Sequence, residues 1–108
     1  GRIGRTMQGG EMRFDDTVFT RQTIVLDFND FQGCTFRECE LVVHALGPIG
    51  LSSCAFEGSQ FVFAGPAATT VRFMAGLYHG GGEGGRDLVE RTFDAIRHDR
   101  SDRLPIVQ

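Results

Sequence analysis

The 108-residue sequence predicts a mainly β fold, a short parallel β-helix of about three coils capped by two C-terminal α-helices. Two observations predict the coils: an apolar pattern that recurs before residue 65, and a finer five-residue spacing inside that pattern. A third observation, apolar residues at helical spacing after Pro66, predicts the helices. The length of the chain fits a single domain.

The predicted elements divide the chain into four segments. Residues 1–12 are rich in glycine and arginine and have no apolar period, so we expect a disordered N-terminal arm or a cloning remnant. The short β-solenoid spans 13–65. A helical hairpin over 66–99 is expected to pack on the solenoid within the same domain, and 100–108 form a tail.

The solenoid prediction depends on an internal repeat. Each copy begins with a large apolar residue, has Thr or Cys three positions later and Phe two positions after that, and ends in an apolar triplet. The copies begin at Phe14, Phe31 and Leu51, so the first offset is three residues shorter than the second. Stacked coils would align three ladders of side chains: Phe19, Phe36 and Phe56; Thr17, Cys34 and Cys54; Ile24, Leu41 and Phe61.

Inside the repeat, Leu or Phe occupies every fifth position from Leu26 to Phe61. Neither an α-helix nor a flat strand has a period of five. With this spacing, the stretch 14–64 resembles the pentapeptide-repeat family. The resemblance implies right-handed, four-sided coils, each built of four five-residue units in which the Leu or Phe centre and the small residue two positions earlier point inward. On that scheme the first coil is three residues short and a loop bulges out at 44–50.

The C-terminal third of the chain predicts two helices. Pro66 suits the first turn of a helix that ends at Gly80. The stretch 80–85 is predicted to be a loop, after which Asp87 would cap the second helix and form a capping box with Glu90. These helices would cover the C-terminal end of the solenoid. A second copy of the chain or the N-terminal arm would cover the other end, so we expect a homo-oligomer.

The strongest candidate site is the glycine-rich stretch between the two helices. Backbone N–H groups at a helix N-terminus attract anions, so the sequence predicts that an anionic small molecule or a cyclic nucleotide binds there. The candidate ligand-binding residues are His79, Gly81, Gly82, Gly84, Gly85, Arg86 and Arg91. In the alternative interpretation the stretch is a linker whose glycines permit a tight reversal, and Asp87 and Glu90 compete for the same N–H groups.

The sequence supports no enzyme, metal or cofactor chemistry. Cys34, Cys39 and Cys54 lack the close pairing of a zinc site and fall on inward positions, which favours a role as small core residues. No carboxylate or nucleophile motif accompanies a histidine.

Two function hypotheses from different classes remain. The first is a non-enzymatic oligomeric binding module that sequesters an anionic small molecule. The alternative is a protein-interaction or structural solenoid, including an acidic mimic of DNA, although three coils rise only ~15 Å.

A net charge of −3 without a basic face disfavours binding to nucleic acid. No apolar run is long enough for a bilayer, and no signal peptide precedes the odd number of cysteines, so a cytoplasmic protein is expected.

Overall fold

The computed structural model describes residues 12–98 and contains nine β-strands followed by two α-helices. The strands are β1 (Met12–Asp15), β2 (Val18–Thr20), β3 (Thr23–Val25), β4 (Asn29–Gln32), β5 (Thr35–Arg37), β6 (Glu40–Val43), β7 (Gly50–Ser52), β8 (Ala55–Glu57) and β9 (Gln60–Phe63). The helices are α1 (Gly65–Gly80) and α2 (Gly82–Arg97). The predicted arm lies outside the described residues except for Met12, and the predicted tail lies wholly outside them.

The chain divides into two compact units between Ala68 and Thr69. The first contains the strands and the second contains most of the two helices. The predicted packing of the helices on the solenoid stays a prediction. Within residues 12–98, neither helix combines the length and the apolar character needed to cross a membrane.

The strands form three stacked coils, which we call coil 1 (12–28), coil 2 (29–48) and coil 3 (49–65). Every third strand pairs in parallel, so the sheets are β1-β4-β7, β2-β5-β8 and β3-β6-β9. The strand ladders proposed from the sequence are present; for example, Phe19 pairs with Phe36 and Phe36 with Phe56. The predicted parallel β-helix of three coils followed by two helices is therefore confirmed.

Each coil has three sides that carry strands, whereas the resemblance to the pentapeptide-repeat family implies four. Coils 1 and 2 are offset by 17 residues, as between Arg21 and Glu38, whereas coils 2 and 3 are offset by 20. The difference is an insertion at 46–48, which follows the corner residue of coil 2 and precedes β7. The bulge predicted near this position is confirmed. The idea that coil 1 is three residues short is wrong, because an offset of 17 residues already completes a turn.

Left-handed residues make the corners of every coil. Three residues per coil have φ between 49° and 65°. In coil order they are Asp16, Arg21 and Phe28; Gly33, Glu38 and Ala45; Ser53, Gly58 and Gly65. Only three of these nine are glycine, and an L-residue in this region costs roughly 1–2 kcal/mol. The stacked ladders on either side must therefore hold the other six corners in place.

Coil 2 forms the centre of the core. The side chains of Phe31, Phe36 and Leu41 are at most 1% exposed, and the Phe36 ring stacks between Phe19 at 5.3 Å and Phe56 at 5.5 Å. Leu46, a predicted inward centre, is instead 63% exposed because it belongs to the insertion. The five-residue period therefore fails at the insertion.

The three cysteines are free thiols on inward positions, as predicted. Cys34 and Cys39 are buried and Cys54 is half-buried. The Cys34 thiol donates to the carbonyl oxygen of Phe14 at 3.5 Å, and burial raises its pKa. These contacts satisfy the thiols inside the coil, as expected of small core residues.

Candidate functional site

The glycine-rich stretch is helical on both sides of a single residue. α1 continues to Gly80 and α2 begins at Gly82, so the predicted loop over 80–85 is wrong. The predicted capping box is wrong as well, because Gly81 is the N-cap of α2 and makes no side-chain capping bond. Asp87 lies inside α2 and pairs with Arg91 at 2.9 Å.

Helix packing explains two of these glycines. A Cβ on Gly81 or Gly85 would collide with the carbonyl oxygen of Leu77, which accepts a 3.0 Å hydrogen bond from the Gly81 N–H. A Cβ on Gly82 or Gly84 would meet nothing within 4 Å, although Gly82 has a left-handed φ of +67°. The glycines therefore let the second helix start directly against the end of the first.

The predicted ligand residues are dispersed along the hairpin. His79 is exposed in the last turn of α1, and the Arg86 guanidinium lies 5.5 Å from the centre of the Tyr78 ring. The Tyr78 hydroxyl donates to Glu90 at 2.9 Å, and this hydrogen bond raises the Tyr78 pKa. Arg91 is already engaged by Asp87. The two arginines thus interact with side chains of the hairpin itself.

The backbone N–H groups in the first turn of α2 are still available to bind an anion. Gly85 N–H already donates to the Gly81 carbonyl at 3.1 Å, whereas the N–H groups of Gly82, Glu83 and Gly84 precede the first intrahelical bond. The carboxylate of Glu83 stands in the same turn and would repel an anionic ligand. Anion binding at this helix end stays a prediction.

A second candidate site lies on the insertion of coil 2. Asp27, whose side chain is 4% exposed, accepts hydrogen bonds from the backbone N–H of His44 at 2.8 Å and of Leu46 at 2.7 Å. Burial of the Asp27 carboxyl opposes its ionisation, but these two bonds and the nearby His44 ring outweigh burial and lower its pKa. The carboxylate therefore ties both ends of the turn at 44–46 to coil 1.

Phe28 fixes the other half of the insertion. Its N–H donates to the carbonyl oxygen of Pro48 at 2.8 Å, and its ring lies where a Cβ on Gly47 would stand. Phe28 holds a left-handed φ of +65°, a strained conformation for a bulky residue. Leu46 remains 63% exposed and Phe28 39% exposed. We call the surface formed by Phe28, Leu46, Gly47 and Pro48 the apolar knob.

The sequence predicts the bulge but indicates no function for it. The Gly47-Pro48 pair is a turn signal that could have drawn attention to it. No sequence pattern indicates that Asp27 is buried or that Phe28 is left-handed. Both properties arise from alignment with coil 2, which only the three-dimensional register reveals.

A groove of about 460 Å³ at another corner is lined by four charged residues of the solenoid, Arg21, Arg37, Glu38 and Glu57. Within it, Arg21 pairs with Glu38 and Arg37 with Glu57, each at 2.9 Å. The groove is open and its arginines are already paired, so it offers a ligand little unpaired charge. In the described part of the chain, no cluster of three or more His, Cys, Asp or Glu side chains could hold a metal ion.

These features define a short parallel β-helix with an apolar knob on one side, followed by an α-helical hairpin. Comparisons with models of known protein families, with curated proteins and with solved structures give no match.

Proposed function

We propose that the chain is a non-enzymatic interaction module that binds a protein partner through the apolar knob. The observation that carries this proposal is the exposure of Leu46, 63%, on a backbone that Asp27 and Phe28 hold in place. An apolar side chain on a rigid support loses little conformational freedom when it enters a pocket, so more of its burial contributes to affinity. The partner would offer an apolar pocket for Leu46.

The partner can be identified by comparing two variants, in each of which serine replaces an exposed apolar residue. Leu46→Ser removes the exposed apolar side chain of the knob, and Val18→Ser removes a 50% exposed one from β2 in coil 1. We expect one partner to be captured by the wild type and by Val18→Ser but lost with Leu46→Ser. Burying a whole leucine contributes about 1.5–3 kcal/mol and Leu46 is 63% exposed, so titration with that purified partner should show a Kd weaker by roughly five- to twentyfold for Leu46→Ser.

Equal binding by all three proteins would contradict the role of the knob. Loss of binding in both variants would point to a different surface of the solenoid. Far-ultraviolet circular dichroism should show the same fold in each variant, because neither substitution changes a buried side chain.

We also propose that the coils are a three-sided relative of the pentapeptide-repeat solenoid. The inward Phe ladder supports this relation, as do Cys34 and Cys54 two positions before inward centres of neighbouring coils. The 17-residue turn is the main departure from the family pattern. Mimicry of DNA is less well supported, because three coils rise only ~15 Å and three of their carboxylates, Asp15, Glu38 and Glu57, pair with arginines.

A second candidate function is binding of an anionic small molecule or a cyclic nucleotide at the start of α2, within an oligomer of this chain. The observation that favours it is the absence of a side-chain cap at Gly81. Phosphate or nucleotides should then raise the melting temperature of the wild type but not of a His79→Ala, Arg86→Ala double variant. An unchanged melting temperature with every anion would remove this candidate.

A further inference from the structure

The last coil ends in a layer of exposed apolar side chains. Leu51, Phe56 and Phe61 are 38%, 41% and 45% exposed, whereas their neighbours one coil earlier are at most 1% exposed. Phe56 stacks on Phe36 through one ring face and contacts Phe61 at 5.3 Å. We call this layer, together with the 52% exposed Phe63, the coil-3 end.

The strands beneath this layer are sheet edges. Among the described residues, β7, β8 and β9 each pair with a strand of coil 2 and with no strand beyond it. An edge of this kind presents unpaired backbone N–H and C=O groups that can bond to another chain. Natural edges are usually protected by charged side chains that disfavour such pairing.

Coil 3 lacks that protection. Glu57 is the one acidic or basic residue among residues 50–64, and Arg37 of coil 2 pairs with it at 2.9 Å. Coils 1 and 2 each carry at least four such residues in segments of similar length. Two copies that meet at coil 3 would therefore bring together almost no like charges. Depletion of charge at the centre is typical of protein–protein interfaces.

We propose that the coil-3 end binds the coil-3 end of a second copy of this chain in a two-fold dimer. The four apolar side chains expose about 300 Å², given ~150–250 Å² for a whole aromatic side chain. A stable dimer buries about 800 Å² per partner, so the edges of β7, β8 and β9 would have to be buried together with these side chains. The same patch on both copies closes the assembly at two chains and does not build a filament.

The proposal is tested first on the wild-type chain. Light scattering should give a dimer mass at micromolar concentration. Hydrogen exchange should be at least tenfold slower for amides of β7, β8 and β9 in the concentrated sample than in a dilute, monomeric one, with no such change in coil 1. A monomer mass, as expected if the chain's own helices cover this end, would overturn the proposal. Protection confined to coil 1 would overturn it as well.

Two variants with similarly exposed positions provide the matched comparison. Phe61→Glu places two like charges across the interface and should leave a folded monomer. Val25→Glu changes a 47% exposed residue of coil 1 and should remain a dimer. A folded, dimeric Phe61→Glu would overturn the proposal. If Phe61→Glu does not fold, the hydrogen-exchange measurement on the wild type decides whether the coil-3 end is the dimer interface. Because Leu46 lies outside the coil-3 end, failure here leaves the knob hypothesis standing.

Discussion

Phe36→Asp is expected to unfold the solenoid. The Phe36 side chain is fully buried, and its ring stacks between Phe19 and Phe56. Truncating a buried phenylalanine costs about 3–5 kcal/mol, and a carboxylate in the same place adds the cost of burying an unpaired charge. That sum is comparable to the whole stability of a small domain, about 5 kcal/mol at the low end.

Circular dichroism and urea unfolding measure this outcome. Val18→Asp is the matched control, since Val18 lies in the same sheet but is 50% exposed, and it should cost less than about 1 kcal/mol. If Phe36→Asp unfolds cooperatively at a urea concentration close to that of the control, the side chains of the Phe19, Phe36 and Phe56 ladder do not point into the coil.

Asp27→Asn is expected to lower the free energy of unfolding by about 2–3 kcal/mol at neutral pH, because a hydrogen bond to a charged group contributes ~1.5–3 kcal/mol. The amide retains one acceptor oxygen but presents its NH₂ group to one of the two backbone donors, His44 N–H or Leu46 N–H. That donor then loses its acceptor in a partly buried position. Urea unfolding at pH 7 measures the loss.

The same residue gives a pH dependence of defined sign. The folded-state pKa of Asp27 lies below its usual value of 3.8, so the ionised carboxylate stabilises the fold above that value. The contribution is lost as the pH falls below 3.8 and through the folded-state pKa. The gap in stability between wild type and Asp27→Asn should therefore narrow on acidification. A constant gap down to pH 2.5 would contradict the role of the ionised carboxylate.

The stacking of the coils could be predicted from the sequence because each coil repeats the same apolar positions. Phe14, Phe31 and Leu51 mark this repeat, and the register follows from it directly. The number of sides could not be predicted in this way. Leu26 and Leu46 happen to fall on the five-residue period, yet Leu26 is buried and Leu46 exposed. Apolar character alone does not separate an inward position from an exposed insertion.

The backbone conformations of the corners and of the hairpin could not be predicted for a related reason. Arg21, Phe28 and Glu38 have no intrinsic preference for left-handed backbone, so their conformation comes from the coils stacked around them. In the hairpin, glycine usually indicates a loop, but Gly85 is helical and is required by the close Leu77 carbonyl. Contacts between segments decide the conformation in both places.

The solenoid is built on a three-sided coil of 17 residues, with a three-residue insertion in coil 2. Deleting residues 46–48 tests it most directly, because Ile49 would then follow Ala45 just as Asn29 follows the aligned corner residue of coil 1. The deletion variant should keep the β-sheet circular dichroism signal of the wild type and unfold cooperatively. In a four-sided coil built of five-residue units, the same deletion would shift the register of every strand from β7 onward and unfold the chain. An unfolded deletion variant would therefore contradict the three-sided coil.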